Sequence, residues 1–329
     1  MASASLFILF ILQACAYLFF YTIGAQANIK FSAIFSFGDS ILDTGMNNNL
    51  PSAEALGIKD IVPVYLKPDL QSKDLLTGVG FASGGLGIDP LTSSTLGVVA
   101  MSQQLQYFKD YIGKLKGVAG QEKAKAIIAN SLVLMSAGNN DIGVHILLVR
   151  GNNSILFLHI VLNWLPGLPL FWRGNKEHQA PNRIKYKFVK QLYALGARRF
   201  GVLSTVALGC EPSGRVAGSC SMTANVGAQT YNNLLKAGIA SLQSKHSDAK
   251  LVFFDIFTPL DNIASNPQRF GFQNANLGCC GGVGSCLPFT TLVCPDASTY
   301  VFWDSLHPTE KTYRIVVSDV LNKTLSSFS

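Results

Sequence analysis

The sequence has no cluster of basic residues, no linker-like stretch and no internal repeat. Its 26 Lys and Arg outnumber its 19 Asp and Glu, for a net charge of +7, but the basic residues are spread along the 329-residue chain. Nucleic-acid binding needs a localised basic patch, so this distribution argues against a nucleic-acid partner. A modest positive charge suits loose association with a polyanionic surface such as an acidic polysaccharide. We expect a monomer with one large domain over residues 28–329.

Histidine is scarce as well, which limits the candidates for a general base to five residues. Four of them have no acidic residue three positions before the imidazole: His145, His159, His178 and His246. His307 differs, because Asp304 precedes it by three residues. That spacing lets the carboxylate accept from Nδ1–H and leaves Nε2 free to take a proton. The alternative interpretation is a capping pair on a surface turn.

The first 27 residues resemble a secretory signal peptide. An apolar run over residues 6–20 is followed by Ala25-Gln26-Ala27, a small-x-small cleavage pattern. The run lacks a preceding Lys or Arg, so a retained signal anchor is the alternative. Residues 155–172 are also mostly apolar, but Pro166 and Pro169 would break a helix there. We therefore expect a secreted, extracellular protein without a stable membrane span.

Removal of the leader leaves six cysteines, an even number that indicates disulfides in an oxidising compartment. Cys210 and Cys220 bracket a loop and are the best local pair. The pairing of the other four stays open: Cys279, Cys280, Cys286 and Cys294. A zinc site is the alternative, although no histidine lies at ligand spacing among them. Asn152 and Asn322 begin sequons, so secretion would make both glycosylation sites.

Short apolar runs alternate with segments of helical spacing along the chain. The runs are continuous rather than alternating, which is typical of a parallel sheet covered on both faces. The pattern predicts five strands, at residues 34–37, 78–85, 131–137, 200–206 and 251–256. It predicts helices at residues 103–115, 122–130, 183–195 and 223–244, and a last helix with Pro308 in its first turn.

Three of these strands end in turns that contain Ser40, Gly85 and Asn140. The carboxyl ends of parallel strands lie at one edge of a sheet, where ligands bind. Acyl transfer needs a nucleophile and hydrogen-bond donors for the developing oxyanion. Ser40 is the candidate nucleophile. The candidate donors are the backbone N–H of Ser40, that of Gly85 or Gly84, and the amide of Asn140. Alternatively, Ser40 is an N-cap and residues 138–141 form an ordinary turn.

Four blocks in this order resemble those of the GDSL esterase/lipase family, also called SGNH hydrolases, in its extracellular plant branch. The blocks are Phe37-Gly38-Asp39-Ser40, Gly84-Gly85, Gly138-x-Asn140-Asp141 and Asp304-x-x-His307. The resemblance implies a flavodoxin-like three-layer α/β/α sandwich. It also implies hydrolysis of lipid or other acyl esters through an acyl-enzyme by Ser40, His307 and Asp304, with no cofactor or metal.

Three departures from the family pattern stand out. The segment after Asn49 is about thirty residues shorter than in plant relatives, Gly80 stands where Asn is usual, and residues 149–182 do not resemble the family. The shortened segment lies near Ser40 in the sequence. The alternative function is therefore a catalytically impaired, secreted binding protein that keeps the hydrolase fold.

Overall fold

The computed structural model describes residues 29–44, 62–143, 181–284, 286 and 292–329. The predicted leader, the segment after Asn49, the apolar stretch at 155–172 and the sequon at Asn152 lie outside these residues. Within the described ranges, no helix is both long and apolar enough to cross a membrane.

The centre of the fold is a parallel sheet of four strands in the order β1-β2-β3-β4. The strands are β1 (Ile34–Gly38), β2 (Leu132–Ser136), β3 (Arg199–Leu203) and β4 (Lys250–Phe254). Both β1 and β2 are buried at every position, as continuous apolar runs predict. The predicted three-layer α/β/α class is confirmed, with helices covering the sheet.

The prediction of a fifth strand at residues 78–85 is wrong. This segment lies beside β1, where the N–H groups of Phe81 and Ser83 donate to the carbonyls of Ser36 and Gly38, each at 2.8 Å. Within the segment 78–85, Gly80 alone forms a parallel bridge with β1, to Ser36. Glycines interrupt the extended backbone, and Gly78 has φ +99°. The segment 78–85 therefore lies on one side of β1, and β2 lies on the other side. The direction in which the chain adds strands reverses at β1, which makes β1 the topological switch point.

In the described part of the chain, eight α-helices surround the sheet. They are α1 (Ser72–Thr77), α2 (Pro90–Leu96), α3 (Met101–Ala119), α4 (Gln121–Ala129), α5 (Pro181–Ala194), α6 (Met222–Gln243), α7 (Phe257–Ser265) and α8 (Glu310–Thr324). The helix α8 begins later than predicted, because Pro308 still forms a bridge with Phe302 and Thr309 is the N-cap. The helix α3 packs on β1 through aromatic rings, with Phe108 centred 5.3 Å from Phe35.

A second, smaller sheet was not predicted. It pairs β5 (Asn274–Gly278) in parallel with β6 (Tyr300–Phe302). Asn274 and Asn276 alternate with apolar residues in β5, and the apolar run of β6 is only three residues long, so neither strand shows the long apolar run of the central strands. The sheet matters for the site because Asp304 follows β6 by two residues.

Candidate active site

Ser40 follows β1 directly, at the carboxyl edge of the parallel sheet. Gly38 ends the strand at φ +117°, and a Cβ there would overlap the carbonyl oxygen of Ser136 on β2. Glycine is therefore required for β1 to lie this close to β2 while the chain turns. The turn brings Ser40 to a partly exposed position.

The carboxylate of Asp39 stabilises this turn from inside the protein. It is fully buried and accepts hydrogen bonds from the Asn139 amide (2.8 Å) and from the N–H of Ile41 (3.2 Å). The amide oxygen of Asn139 accepts from the N–H of Val206 at 3.0 Å. Burial raises the pKa of Asp39, and these hydrogen bonds oppose that increase. Asn139 thus connects the chain segments that follow β1, β2 and β3.

Gln104 on α3 also holds this turn. Its Oε1 accepts from the N–H of Gly38 at 2.8 Å, and its Nε2 donates to the carbonyl of Gly38 at 3.0 Å. The residue is completely buried. One amide side chain therefore contacts both polar backbone groups of the glycine two residues before Ser40.

The structure brings His307 and Asp304 to Ser40 from the far end of the chain. His307 Nε2 lies 2.9 Å from Ser40 Oγ. The other ring nitrogen, Nδ1, lies 2.9 Å from Asp304 Oδ2 and 3.1 Å from Oδ1. Asp304 Oδ1 also accepts from the backbone N–H groups of Leu306 (2.8 Å) and His307 (2.7 Å). Both side chains are mostly buried, at 18% and 16% exposure for Asp304 and His307.

These contacts keep Asp304 ionised. Burial alone would raise its pKa, whereas the hydrogen bond from the His307 ring, and the positive charge of that ring when it is protonated, lower it. The N–H donors of His307 and Leu306 lower the pKa further, so that it lies below its ordinary value. An ionised carboxylate can only accept hydrogen bonds. The proton between Asp304 and His307 is therefore on Nδ1. That tautomer leaves the Nε2 lone pair directed at Ser40.

The candidate oxyanion donors lie in two loops beside Ser40. Gly84 is adjacent to the serine, since a Cβ on it would lie 3.7 Å from Ser40 Cβ. However, its N–H donates to Asp43 Oδ2 at 2.9 Å, so it is already used. The N–H of Gly85 makes no hydrogen bond among the described residues. Between the two glycines, Gly85 is therefore the better donor. Asn140 Nδ2 donates one proton to Leu86 O at 2.9 Å and keeps a second.

Asp141 holds these two loops together. Its buried carboxylate accepts from the N–H groups of Ile88 (2.8 Å) and Asp89 (3.0 Å) and from Thr92 Oγ1 (3.2 Å). Burial raises the pKa of Asp141, while these three donors lower it. Because Asp141 adjoins Asn140, its contacts fix the distance between Asn140 and the loop that contains Gly85.

Lys185 on α5 is fully buried beneath the same sheet edge. Its Nζ donates to the carbonyls of Ala137 (3.2 Å) and Leu203 (3.4 Å), at the ends of β2 and β3. Burial lowers its pKa to about 7, although the charges of Asp39 and Asp141 favour the protonated form. The structure thus places a titratable cation within the electrostatic influence of two buried acids.

Sequence reasoning missed the roles of Asn139, Gln104, Asp141 and Lys185. A signal existed for three of them, since Asp141 belongs to the block Gly138-x-Asn140-Asp141. Asn139 belongs to a doubled amide in a turn, and Gln104 is a polar residue on the apolar face that includes Leu105 and Phe108. Lys185 gave none, because a lysine in a helix is normally solvent-exposed.

All six cysteines of the described residues are paired. The disulfides are Cys210–Cys220, Cys279–Cys294 and Cys280–Cys286. The first pair is as predicted, and the structure resolves the pairing that the sequence left open. The sulfurs are consequently unavailable as zinc thiolates. The one group of metal-ligand residues in the described part of the chain contains Cys210 and Cys220 themselves, with Asp261.

Comparison with known proteins agrees with this arrangement. The family model for GDSL-like lipase/acylhydrolase matches residues 34–320. The GDSL esterase/lipase EXL3 of Arabidopsis thaliana is 37% identical, over 90% of this chain and 88% of the relative. Two other GDSL esterase/lipases of Arabidopsis thaliana, At5g63170 and At1g23500, are 36% and 35% identical. The alignments cover 90% and 94% of this chain and 92% and 94% of those relatives. The chain therefore belongs to the GDSL lipase/acylhydrolase family and is a carboxylic ester hydrolase.

Proposed function

We propose that the protein is a secreted serine esterase or lipase that forms an acyl-enzyme on Ser40. One observation carries this proposal: His307 Nε2 lies 2.9 Å from Ser40 Oγ while Nδ1 of the same ring contacts Asp304. A nucleophile, a base and a group that orients the base are the parts needed to activate a serine hydroxyl.

In the acylation step, Ser40 Oγ attacks the carbonyl carbon of the ester and transfers its proton to His307 Nε2. Asp304 stabilises the imidazolium that forms. The tetrahedral intermediate then collapses, the bond to the alcohol oxygen breaks, and the leaving alcohol takes the proton from His307.

The negative oxygen of the intermediate accepts hydrogen bonds from the N–H groups of Ser40 and Gly85 and from the Asn140 amide. Two of these are backbone donors in loops held by buried carboxylates, so little reorganisation is needed as charge develops. In deacylation, His307 removes a proton from water, the resulting hydroxide attacks the acyl carbon, and Ser40 leaves with the proton returned from His307.

The proposal extends to the processing and surroundings of the protein. Residues 1–27 are removed on export, residues 28–329 form one domain, and the enzyme acts outside the cell as a monomer that can associate with wall polysaccharide. Asn322 is exposed on α8, where a glycan would meet solvent. The substrates are lipid or other acyl esters, and the residues named above require no cofactor for the reaction.

A fluorophosphonate probe tests the proposal, because it reacts covalently with an activated serine. We expect labelling of the wild-type protein and of Ser305→Ala, a control in the loop of His307, and none of Ser40→Ala. Absence of labelling in wild-type protein with native circular dichroism would instead favour the impaired binding protein.

A further inference from the structure

Most exposed large apolar side chains of the described residues lie in the C-terminal part of the chain, and several belong to segments that contact the His307 loop. Eight of the eleven large hydrophobic residues exposed among the described residues lie between positions 216 and 306. Six of these belong to the chain segments that contact the loop, and we call them the apolar rim: Val216, Leu277, Val283, Leu292, Val293 and Leu306. Leu292 has the largest exposed fraction, 92%.

Backbone contacts connect the apolar rim to the candidate active site. The N–H of Cys280 donates to the carbonyl of Trp303 at 2.6 Å, and the N–H of Ser213 donates to the carbonyl of Ser305 at 3.0 Å. The segment that bears Val283 and the loop that bears Val216 therefore both adjoin residues 303–307. Leu306 itself precedes His307.

Two disulfides tether the part of the chain that follows β5, which contributes Val283, Leu292 and Val293 to the apolar rim. Cys279–Cys294 and Cys280–Cys286 close the segment after β5, and the N–H of Gly281 donates to the carbonyl of Leu292 at 3.2 Å. A disulfide-closed segment can keep leucine and valine side chains in water because it has few alternative conformations in which to bury them. A large exposed apolar patch usually marks an interaction site.

The charge pattern indicates what this surface contacts. The sequence contains no Asp, Glu, Lys, Arg or His from position 274 to 295, nor from 216 to 235, although charged residues make up 14% of the chain. Arg215, at the edge of one run, directs its guanidinium to the carbonyls of Cys210, Gly218 and Ala264. Five of the six apolar-rim residues lie in these two uncharged stretches, which suit an uncharged partner, whereas polyanions require cations.

We propose that the apolar rim is the surface through which the enzyme binds aggregated, uncharged lipid ester, so that ester groups at the lipid surface reach Ser40. This inference rests on the proposed function and specifies its substrate class. The side chains of the apolar rim enter the acyl layer, and the disulfides hold them at a constant position relative to His307. Net positive charge contributes little to this binding.

Flotation with triolein droplets coated with phosphatidylcholine tests binding without turnover. The parent protein is the full mature chain carrying Ser40→Ala. The apolar-rim variant is the same chain with Val283→Asp and Leu292→Asp added. The matched control carries Leu66→Asp and Val118→Asp, two exposed residues outside the apolar rim. We expect the apolar-rim variant to bind the droplets at least about tenfold more weakly than its parent. The control variant should bind like the parent. Binding should persist in about 0.5 M NaCl.

Activity of the Ser40 protein separates this inference from the proposed function. The apolar-rim variant should hydrolyse soluble p-nitrophenyl acetate at the wild-type rate but emulsified trioctanoin about tenfold more slowly. Failure of the wild type on p-nitrophenyl acetate would refute the proposed function while the flotation result still stands. The inference is overturned if the apolar-rim variant floats like its parent, if binding requires anionic lipid or polygalacturonate, or if the two aspartates only dissociate a dimer.

Discussion

Gln104 makes two hydrogen bonds to Gly38, one to its N–H and one to its carbonyl. The carbonyl of Gly38 has a second donor in the N–H of Ser83, whereas Gln104 is the partner of the Gly38 N–H. The side chain of a residue on α3 thus completes the hydrogen bonding of the turn that presents Ser40.

Replacement of Gln104 with leucine should therefore cost stability and activity together. A buried N–H without a partner costs about 1–3 kcal/mol in the free energy of unfolding. We expect a loss of that size by urea denaturation and a lower kcat, because the turn before Ser40 loses its support. Gln103→Leu is the matched control, since Gln103 is the exposed neighbour on the same helix. Equal stability of the two variants would contradict the role assigned to Gln104.

Asp304→Asn should preserve the loop but impair the base. The amide oxygen can still accept from the N–H groups of Leu306 and His307, whereas the amide nitrogen favours the tautomer of His307 with its proton on Nε2. By analogy with serine hydrolases, we expect kcat to fall by up to about 10⁴ at neutral pH. Asp296→Asn, at an exposed 3₁₀-turn cap, is the control. A pH–rate profile with near wild-type kcat and an unshifted acidic limb would reduce Asp304 to a structural cap.

Asn140 and Asn139 are adjacent amides for which we predict different effects. Asn140→Ala should lower kcat by about 10²–10³ with little change in KM, because its hydrogen bond strengthens as the oxyanion forms. Asn139→Ala should mainly lower the melting temperature, since it removes a donor to Asp39 and an acceptor for Val206. Steady-state kinetics and thermal unfolding of both variants test this contrast. A normal kcat in Asn140→Ala would leave Asn140 as a turn residue.

Lys185 should make stability depend on alkaline pH. Its pKa is about 7 in the folded protein and near 10.5 in an exposed setting, so between these values the unfolded chain binds more protons. The free energy of unfolding should therefore rise with pH across this window, by roughly 1.4 kcal/mol per pH unit from this group. Lys185→Met should remove that increase. Urea denaturation of both proteins between about pH 7.5 and 9 measures the difference. If the free energies of unfolding of the two proteins change with pH in the same way, Lys185 is not a buried lysine that is neutral in this pH range.

Gly80 lies beside two buried hydroxyls, Ser36 Oγ and Thr44 Oγ1, that have no hydrogen-bond partner among the residues the structure describes. A Cβ at position 80 would lie 3.0 and 2.9 Å from them, and both can rotate away. Gly80→Asn should therefore stabilise the protein by about 1 kcal/mol, because an amide supplies the missing partners and a side chain restricts the unfolded chain. Gly80→Ala, which provides only the Cβ, should gain less. A lower melting temperature for the Asn variant than for the Ala variant would contradict this explanation.

The strands of the central sheet were predictable because burial on both faces selects continuous apolar runs. Residues 131–137 and 200–206 show this, and their observed strands β2 and β3 lie within the predicted bounds or one residue from them. The segment at 78–85 has an apolar centre too, but its glycines prevent a regular ladder. Strand β5 could not be predicted, since Asn274 and Asn276 place amides where an isolated strand would show apolar residues.

The candidate site was predictable where chemistry restricts the residue type. A serine after a glycine turn and a histidine three residues after an aspartate are short patterns that only a few reactions require. The residues that hold them were harder to predict, because Gln104 and Lys185 act through burial, which depends on the packing of whole helices. Local sequence contains little information on such packing.

Ser40 and His307 are 267 residues apart in the chain. At a synthesis rate of about 5–20 residues per second, the ribosome makes the serine roughly 13–50 seconds before the histidine. During that interval, the nascent chain carries the proposed nucleophile without its base. It therefore cannot act as an esterase until the segment that carries His307 has been made and has folded against β1.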